Sequence, residues 1–203
     1  MGTERNRPGL LKKHDGKSIF SQLLSAENKQ NPWEEAFALH TEAVSLFADT
    51  VGQISPDKWN VSKQQDQWTP AHVLEHLNLA HKILLQELNS GAGMSIRTKF
   101  LQRFVLRLVL VPKLLRGAPF PKGARAPRET RPDSSQSNQQ AAVTSFQELA
   151  RAFQETIMRV HRENPDKKLT HAYFGSSSLT DAVLLCARHI QHHQRQVLER
   201  VNL

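Results

Sequence analysis

Apolar residues recur at helical spacing in four long stretches of this 203-residue chain, and no stretch shows the strict alternation of a half-buried strand. The four predicted helices cover residues 32–54, 70–90, 141–163 and 181–201. Two of them open with a capping residue followed by proline, Asn31-Pro32 and Thr69-Pro70, which is a helix-start signal. Thr180 is the predicted cap of the last helix. The pattern predicts an all-α fold, a four-helix bundle.

The connections between these helices differ greatly in length. Residues 55–67 are predicted to form a polar loop, and residues 96–112 a further helix that ends at Pro112. The stretch 116–140 is rich in proline, glycine, serine and glutamine, which predicts a long crossover loop between the second and third helices. Residues 1–30 are polar and are predicted to be an N-terminal arm before a bundle domain of residues 31–203.

The net charge of +8 comes from one segment of the chain. Between residues 91 and 132 there are ten lysines and arginines, opposed only by Glu129. Such a segment favours an anionic partner, whether nucleic acid, an acidic membrane surface or an anionic substrate. Residues 96–131 include several phenylalanines, so part of the segment can lie on a membrane as a basic amphipathic helix or pack on the bundle. Nothing in the chain resembles a module that reads a nucleic-acid sequence.

The single cysteine, Cys186, excludes an internal disulfide framework and fits a reducing compartment. No apolar run resembles a secretory signal or approaches the roughly 18 residues of a membrane span. We therefore expect a cytoplasmic protein without a transmembrane segment. Cys186 lies almost on the same helix face as His193. It is therefore either a buried core residue, which we favour, or a fourth metal ligand or reactive thiol.

Histidine pairs one helical turn apart mark two of the predicted helices. His189 and His193 share one face of the fourth helix, and His72 and His76 share one face of the second. Two imidazoles at this spacing can hold one divalent metal ion. Other histidines are expected to be structural or exposed, namely His14, His40, His81, His161 and His192.

Two motifs carry a resemblance to a known family. Residues 68–77, WTPAHVLEHL, resemble the start of the second helix in DinB-like (YfiT-like) proteins, and residues 189–196, HIQHHQRQ, resemble the closing motif of that superfamily. The loop 171–175, HAYFG, and the basic crossover are similar to the family as well. The resemblance implies a bundle with up-down-down-up order. It also implies that one divalent metal ion, with zinc or nickel favoured, is held by His76, His189 and His193, near Gln196.

Three neutral imidazoles leave at least one position open on a bound ion. A water molecule there loses its proton readily, and a thiol binds as the strongly nucleophilic thiolate. Some members of the resembled family transfer small thiols such as bacillithiol or mycothiol, and others are suspected hydrolases. We therefore expect a metal-dependent transferase or hydrolase that acts on a small molecule, with a low-molecular-weight thiol as one partner.

The alternative is a non-enzymatic bundle, stabilised by its metal, that binds an anionic partner or a membrane surface through residues 96–131. Catalytic residues beyond the metal ligands are not predicted by the sequence. The sequence is compatible with a homodimer.

Overall fold

Helices make up most of the part of the chain that the structure describes. The computed structural model describes residues 31–62, 64, 67–121, 123–133 and 138–201, and the predicted N-terminal arm lies outside them. In chain order the helices are α1 (Pro32–Gly52), α2 (Pro56–Trp59), α3 (Pro70–Ser90), α4 (Phe100–Val105), α5 (Val111–Leu115), α6 (Gln139–Glu163) and α7 (Leu179–Val201). The four long ones, α1, α3, α6 and α7, correspond to the four predicted helices, so the mainly helical fold class is confirmed.

The core lies between the four long helices. Helix α1 packs on α6 and α7, and α3 packs on the same two helices. Phe47 of α1 and Phe146 of α6 meet edge to face, with ring centroids 5.2 Å apart. Large side chains like these contribute about 1.5–3 kcal/mol each when fully buried. The up-down-down-up order of the helices stays a prediction.

The ends of α3 follow the signals that the sequence carries. Thr69 accepts a hydrogen bond from the backbone N–H of His72 at 3.2 Å, and the His72 side chain reaches back to the backbone N–H of Thr69. Gly91, with φ of 76°, ends the helix in the left-handed conformation that glycine adopts without strain. Both ends of the second predicted helix are therefore confirmed.

A short hairpin contradicts the prediction that the chain contains no strand. Strands β1 (Lys168–His171) and β2 (Gly175–Ser178) pair antiparallel directly before α7. Four residues are too few to show a period of two, and the serines of β2 carry no strand signal. The predicted cap of α7 was also wrong. Ser178, and not Thr180, accepts the hydrogen bond from the backbone N–H of Asp181, at 3.1 Å.

Two of the predicted connections were also wrong in part. The helix predicted to stop at Pro112 continues, because a π-helical turn, Leu106–Leu110, leads directly into α5. Pro112 is the second residue of α5, which directly follows the π-helical turn, so the proline does not end the helix here. Helix α2 interrupts the predicted polar loop 55–67, and a 3₁₀ turn, Arg128–Thr130, lies in the predicted crossover. Among the described residues, every helix is too short or too polar to cross a bilayer.

Candidate metal centre

Three imidazoles converge where α3 faces α7. His76 projects from α3, and His189 and His193 project from successive turns of α7. The Nε2 atom of His189 lies 3.1 Å from Nε2 of His76 and 2.9 Å from Nε2 of His193. Nitrogens about 2.0–2.1 Å from one tetrahedral ion are about 3.3 Å apart, so these separations are close to those of a metal centre.

Hydrogen bonds fix the orientation of two of these rings. Nδ1 of His76 lies 2.6 Å from the carbonyl oxygen of Thr130, which only accepts, so this nitrogen carries the hydrogen. Nδ1 of His193 likewise donates to Oε1 of Gln196, at 2.9 Å, because the amide turns its oxygen towards the ring. A neutral imidazole has one N–H, so Nε2 of each ring presents a lone pair to the shared point.

The arrangement fits a cation better than it fits hydrogen bonds alone. Nε2 of His189 can donate its hydrogen to one of the two facing lone pairs, but not to both. The second lone pair then faces a nitrogen about 3 Å away with no hydrogen between them. A metal ion at the shared point accepts all three lone pairs, and carbonyl or amide partners on the far ring nitrogen are the usual supports of ligating histidines.

His76 and His193 are shielded from water and His189 is half-buried, and this environment keeps the three rings neutral. The exposed fraction is 3% for His76 and 6% for His193. Burial lowers the pKa of His76 to about 4. Burial, followed by the neighbouring histidines, also holds the pKa of His189 and of His193 well below the ordinary value. Neutral imidazole is the form that binds metal, so the rings need not lose a proton at neutral pH.

The crossover and the loop before α3 complete the surroundings of the centre. The ring of Trp68 lies 4.9 Å from that of His76, and the ring of Phe120 lies 5.6 Å from that of His189. Thr130 and Phe120 both belong to the crossover, which was predicted only as a basic loop. No sequence signal marks either contact. The contact of Thr130 is made by its backbone carbonyl, which every residue type has.

The remaining histidines that the structure describes are not part of the three-ring group, although the ring of His192 lies 5.1 Å from that of His193. His72 hydrogen-bonds to Thr69 at the start of α3, and His192 is half-buried against Phe120, 5.1 Å between ring centroids. His171 stacks on Phe174 in the hairpin, and burial lowers its pKa to about 4. His161 stacks on the indole of Trp33 at 3.9 Å.

A second buried group contradicts the expectation for two histidines. His40 and His81 were expected to be isolated or at the surface, yet both are fully buried and their Nε2 atoms are 3.5 Å apart. Sγ of Cys186 lies 3.7 Å from Nε2 of His81. Cys186 is thus a buried core residue beside these two rings, and burial raises the pKa of its thiol to about 12. The apolar residues around Cys186 in the sequence gave no indication of this cluster, because the three members of the cluster come from three separate helices.

Replacing Gln196 with leucine is expected to weaken the binding of a divalent metal by about 10–100-fold. Leucine cannot accept the hydrogen bond from Nδ1 of His193, so this ring loses the partner that fixes its tautomer. Titration with a metal indicator measures the change. Gln196→Glu, which keeps an acceptor oxygen, is the control and should retain most of the affinity. Equal affinity in the leucine variant and the wild type would show that the amide does not support the centre.

Comparison with known proteins identifies the family of the chain. The DinB superfamily matches residues 39–197 of the chain, a range that includes both histidine motifs, the crossover and the hairpin. Neither the curated proteins nor the solved structures gave a match. Because the match extends over more than half of the chain, the protein belongs to the DinB superfamily.

Proposed function

We propose that the protein is a metal-dependent enzyme that acts on a small molecule, with His76, His189 and His193 as the ligands of one divalent ion. Zinc and nickel are the ions that suit this imidazole set and the family. One observation carries the proposal. Thr130 and Gln196 orient the rings of His76 and His193 so that the lone pairs of both Nε2 atoms face a single point. The bundle with up-down-down-up order is part of the same proposal.

The chemistry follows from the number of protein ligands. Three neutral imidazoles leave a bound ion with its full positive charge and an open position, where it supplies a hydroxide or a thiolate at neutral pH. The chain's own residues hold the rings of His76 and His193 in one tautomer and shield these two rings from water. Trp68 and Phe120 give the surroundings an apolar character, which favours a small substrate with an apolar part.

We propose two reaction classes, transfer of a low-molecular-weight thiol to an electrophile and hydrolysis of an activated ester. Members of the DinB superfamily are often metal-dependent, which supports a reactive role for the centre. The arginines of the crossover are the proposed contacts for the carboxylates of an anionic thiol or substrate. Arg97, which precedes the crossover, is already paired with Glu129 at 2.9 Å, so it orients a loop rather than a substrate.

The test is turnover by metal-loaded protein with a panel of small thiols, a general electrophile and hydrolysable esters. We expect a rate that depends on the metal, is removed by a chelator and is restored when the metal is returned. His193→Ala is the control, since it removes one proposed ligand and leaves the apolar surroundings in place. If loaded wild-type protein never exceeds this control with any thiol or ester, the enzyme assignment is wrong.

A specific surface feature favours a second candidate function, docking to an anionic membrane. Helix α4 and the π-helical turn after it expose large apolar side chains, with exposed fractions of 76% for Phe100, 71% for Leu101 and 61% for Leu108. Arg103 and Arg107 lie in the same segment. A basic helix with exposed apolar groups binds the interface of anionic bilayers, and each basic residue near the surface adds about 1 kcal/mol.

Sedimentation with lipid vesicles tests this candidate. We expect the chain to bind vesicles rich in phosphatidylserine more strongly than vesicles of phosphatidylcholine alone, and to lose most of this binding when Phe100, Leu101 and Leu108 are all changed to serine. The matched control replaces three exposed apolar residues outside the segment with serine, namely Leu46, Val61 and Met158. Equal sedimentation of the two triple variants would remove the membrane candidate.

A further inference from the structure

The second buried cluster brings together three side chains that can bind metal. His40 lies on α1, His81 on α3 and Cys186 on α7, and their donor atoms all lie within 4.8 Å of one another. Both histidines have no exposed surface, and Cys186 is 8% exposed. The cluster is separate from the three-histidine centre, because His81 is five residues, about 7.5 Å of helix rise, beyond His76.

The surroundings of the cluster are aromatic and apolar. The ring of His81 lies 5.6 Å from that of Phe146 and 5.8 Å from that of Phe153, and the ring of His40 lies 5.4 Å from that of Phe153. Polar groups in such a place are costly unless strong partners satisfy them. Three such groups with donor atoms within 4.8 Å of one another therefore indicate a shared role.

Two of the three separations within the cluster match a three-coordinate metal centre, and the third, between His40 and Cys186, is below 4.8 Å. The two Nε2 atoms are 3.5 Å apart, and Sγ is 3.7 Å from Nε2 of His81, both longer than a good N–H···N or S–H···N bond requires. An ion about 2.0 Å from each nitrogen and about 2.3 Å from the sulfur, with angles of 120°, places its donors about 3.5 Å and about 3.7 Å apart.

The ring of His81 is already oriented for this role. Its Nδ1 donates to the carbonyl oxygen of Leu77 at 2.8 Å, so the lone pair of Nε2 faces His40 and Cys186. On His40 the amide nitrogen of Gln154 donates to Nδ1 at 3.1 Å, so Nε2 carries the hydrogen in the metal-free chain. When an ion binds, this hydrogen would move from Nε2 to Nδ1 of His40. The side-chain amide of Gln154 would then rotate so that its Oε1 accepts the hydrogen bond from Nδ1.

The charge of the ligand set selects the ion. The thiol of Cys186 binds as a thiolate and releases its proton to solvent, so a monovalent ion gives the centre no net charge. A divalent ion leaves one uncompensated positive charge in an apolar core, which is costly. Thiolate sulfur also selects Cu(I) among soft ions, whereas zinc favours a fourth ligand.

We propose that His40, His81 and Cys186 form a second metal centre, which holds one Cu(I) ion. The ion joins three of the four long helices inside the core. Because the three ligands complete a trigonal set and aromatic rings enclose them, the centre stabilises the bundle and does not bind substrate. Copper bound at this centre raises the melting temperature, since an ion that binds only the folded chain stabilises it by mass action.

The experiment uses the full-length His76→Ala chain, which lacks one ligand of the other centre, under anaerobic reducing conditions. Copper is added both to the folded protein and during refolding from urea, so slow entry into the core cannot hide a site. We expect one Cu(I) per chain in competition with a chromophoric Cu(I) chelator. X-ray absorption should show a copper–sulfur distance together with two nitrogen ligands.

The matched variant is Cys186→Ser in the same His76→Ala background, checked for helical content by circular dichroism. We expect it to lose more than about 100-fold in Cu(I) affinity, beyond the loss that a missing supporting hydrogen bond causes. X-ray absorption on the parent chain decides the question even if the serine variant fails to fold. Bound copper without a sulfur ligand, or no bound copper after refolding, would overturn the proposal. A sulfur-bound zinc ion with no affinity for copper would overturn the assignment of the ion.

Discussion

Replacing His76 with alanine is expected to abolish stoichiometric binding of a divalent metal, whereas His72→Ala should leave it nearly intact. The two histidines are one turn apart on α3, but only His76 directs a ring nitrogen to His189, at 3.1 Å. With two ligands left, the affinity should fall by more than the roughly 10–100-fold that loss of a supporting contact costs. Elemental analysis of protein purified without a metal-affinity tag measures the metal content directly.

The His72→Ala variant is a demanding control because it is not neutral for the fold. It removes the side chain that closes the capping box with Thr69, and because Thr69 itself still caps the helix, the cost should stay below the roughly 0.5–2 kcal/mol of a lost N-cap residue. A lower melting temperature with full metal content is therefore the expected result. Equal loss of metal in the two variants would mean that binding depends on the start of α3 and not on the ring of His76.

Replacing Gly93 with alanine is expected to lower the free energy of unfolding by about 2 kcal/mol. A Cβ atom at this position would overlap the carboxylate of Glu87, which is buried. Both oxygens of that carboxylate accept from the backbone N–H of Thr170, at 2.9 and 3.0 Å, and tie the hairpin to α3. Displacing this acceptor leaves the part-buried N–H of Thr170 without its partner, and urea denaturation measures the cost.

Two comparisons separate this mechanism from a general effect of replacing glycine. Gly52→Ala meets nothing within 4 Å and should change stability by less than about 1 kcal/mol, in the stabilising direction. In a Glu87→Ala background the clash is absent, so Gly93→Ala should then cost almost nothing. If the two substitutions instead destabilise the chain additively, the carboxylate is not what Gly93 accommodates.

The sequence predicted the elements that depend on local patterns. The four long helices, the capping box at Thr69 and the end of α3 at Gly91 follow from apolar spacing and from conformational preferences of single residues. The pair His189 and His193 also follows from local spacing, because residues four apart share a helix face. The assignment of His76 over His72 came from the family resemblance, since spacing alone treats both alike.

The parts that the sequence did not predict depend on contacts between distant residues. His40 and His81 have no histidine partner at helical spacing, and only the packing of α1 on the rest of the bundle brings them to Cys186. The hairpin was missed because its strands have four residues each, and its support comes from Glu87, more than 80 residues earlier in the chain. Pro112 was taken as a helix end, whereas the helix continues through it after a π-helical turn.

The contact between His76 and Thr130 has a consequence for how sequences of this kind can diverge. The group that orients the ring is a main-chain carbonyl, which every amino acid carries, so selection on the contact acts on the path of the crossover and not on the residue type at position 130. Substitutions there are constrained mainly by the burial of the side chain. Insertions or deletions close to the 3₁₀ turn Arg128–Thr130 would shift the carbonyl, so we expect the local length of the crossover to be restricted.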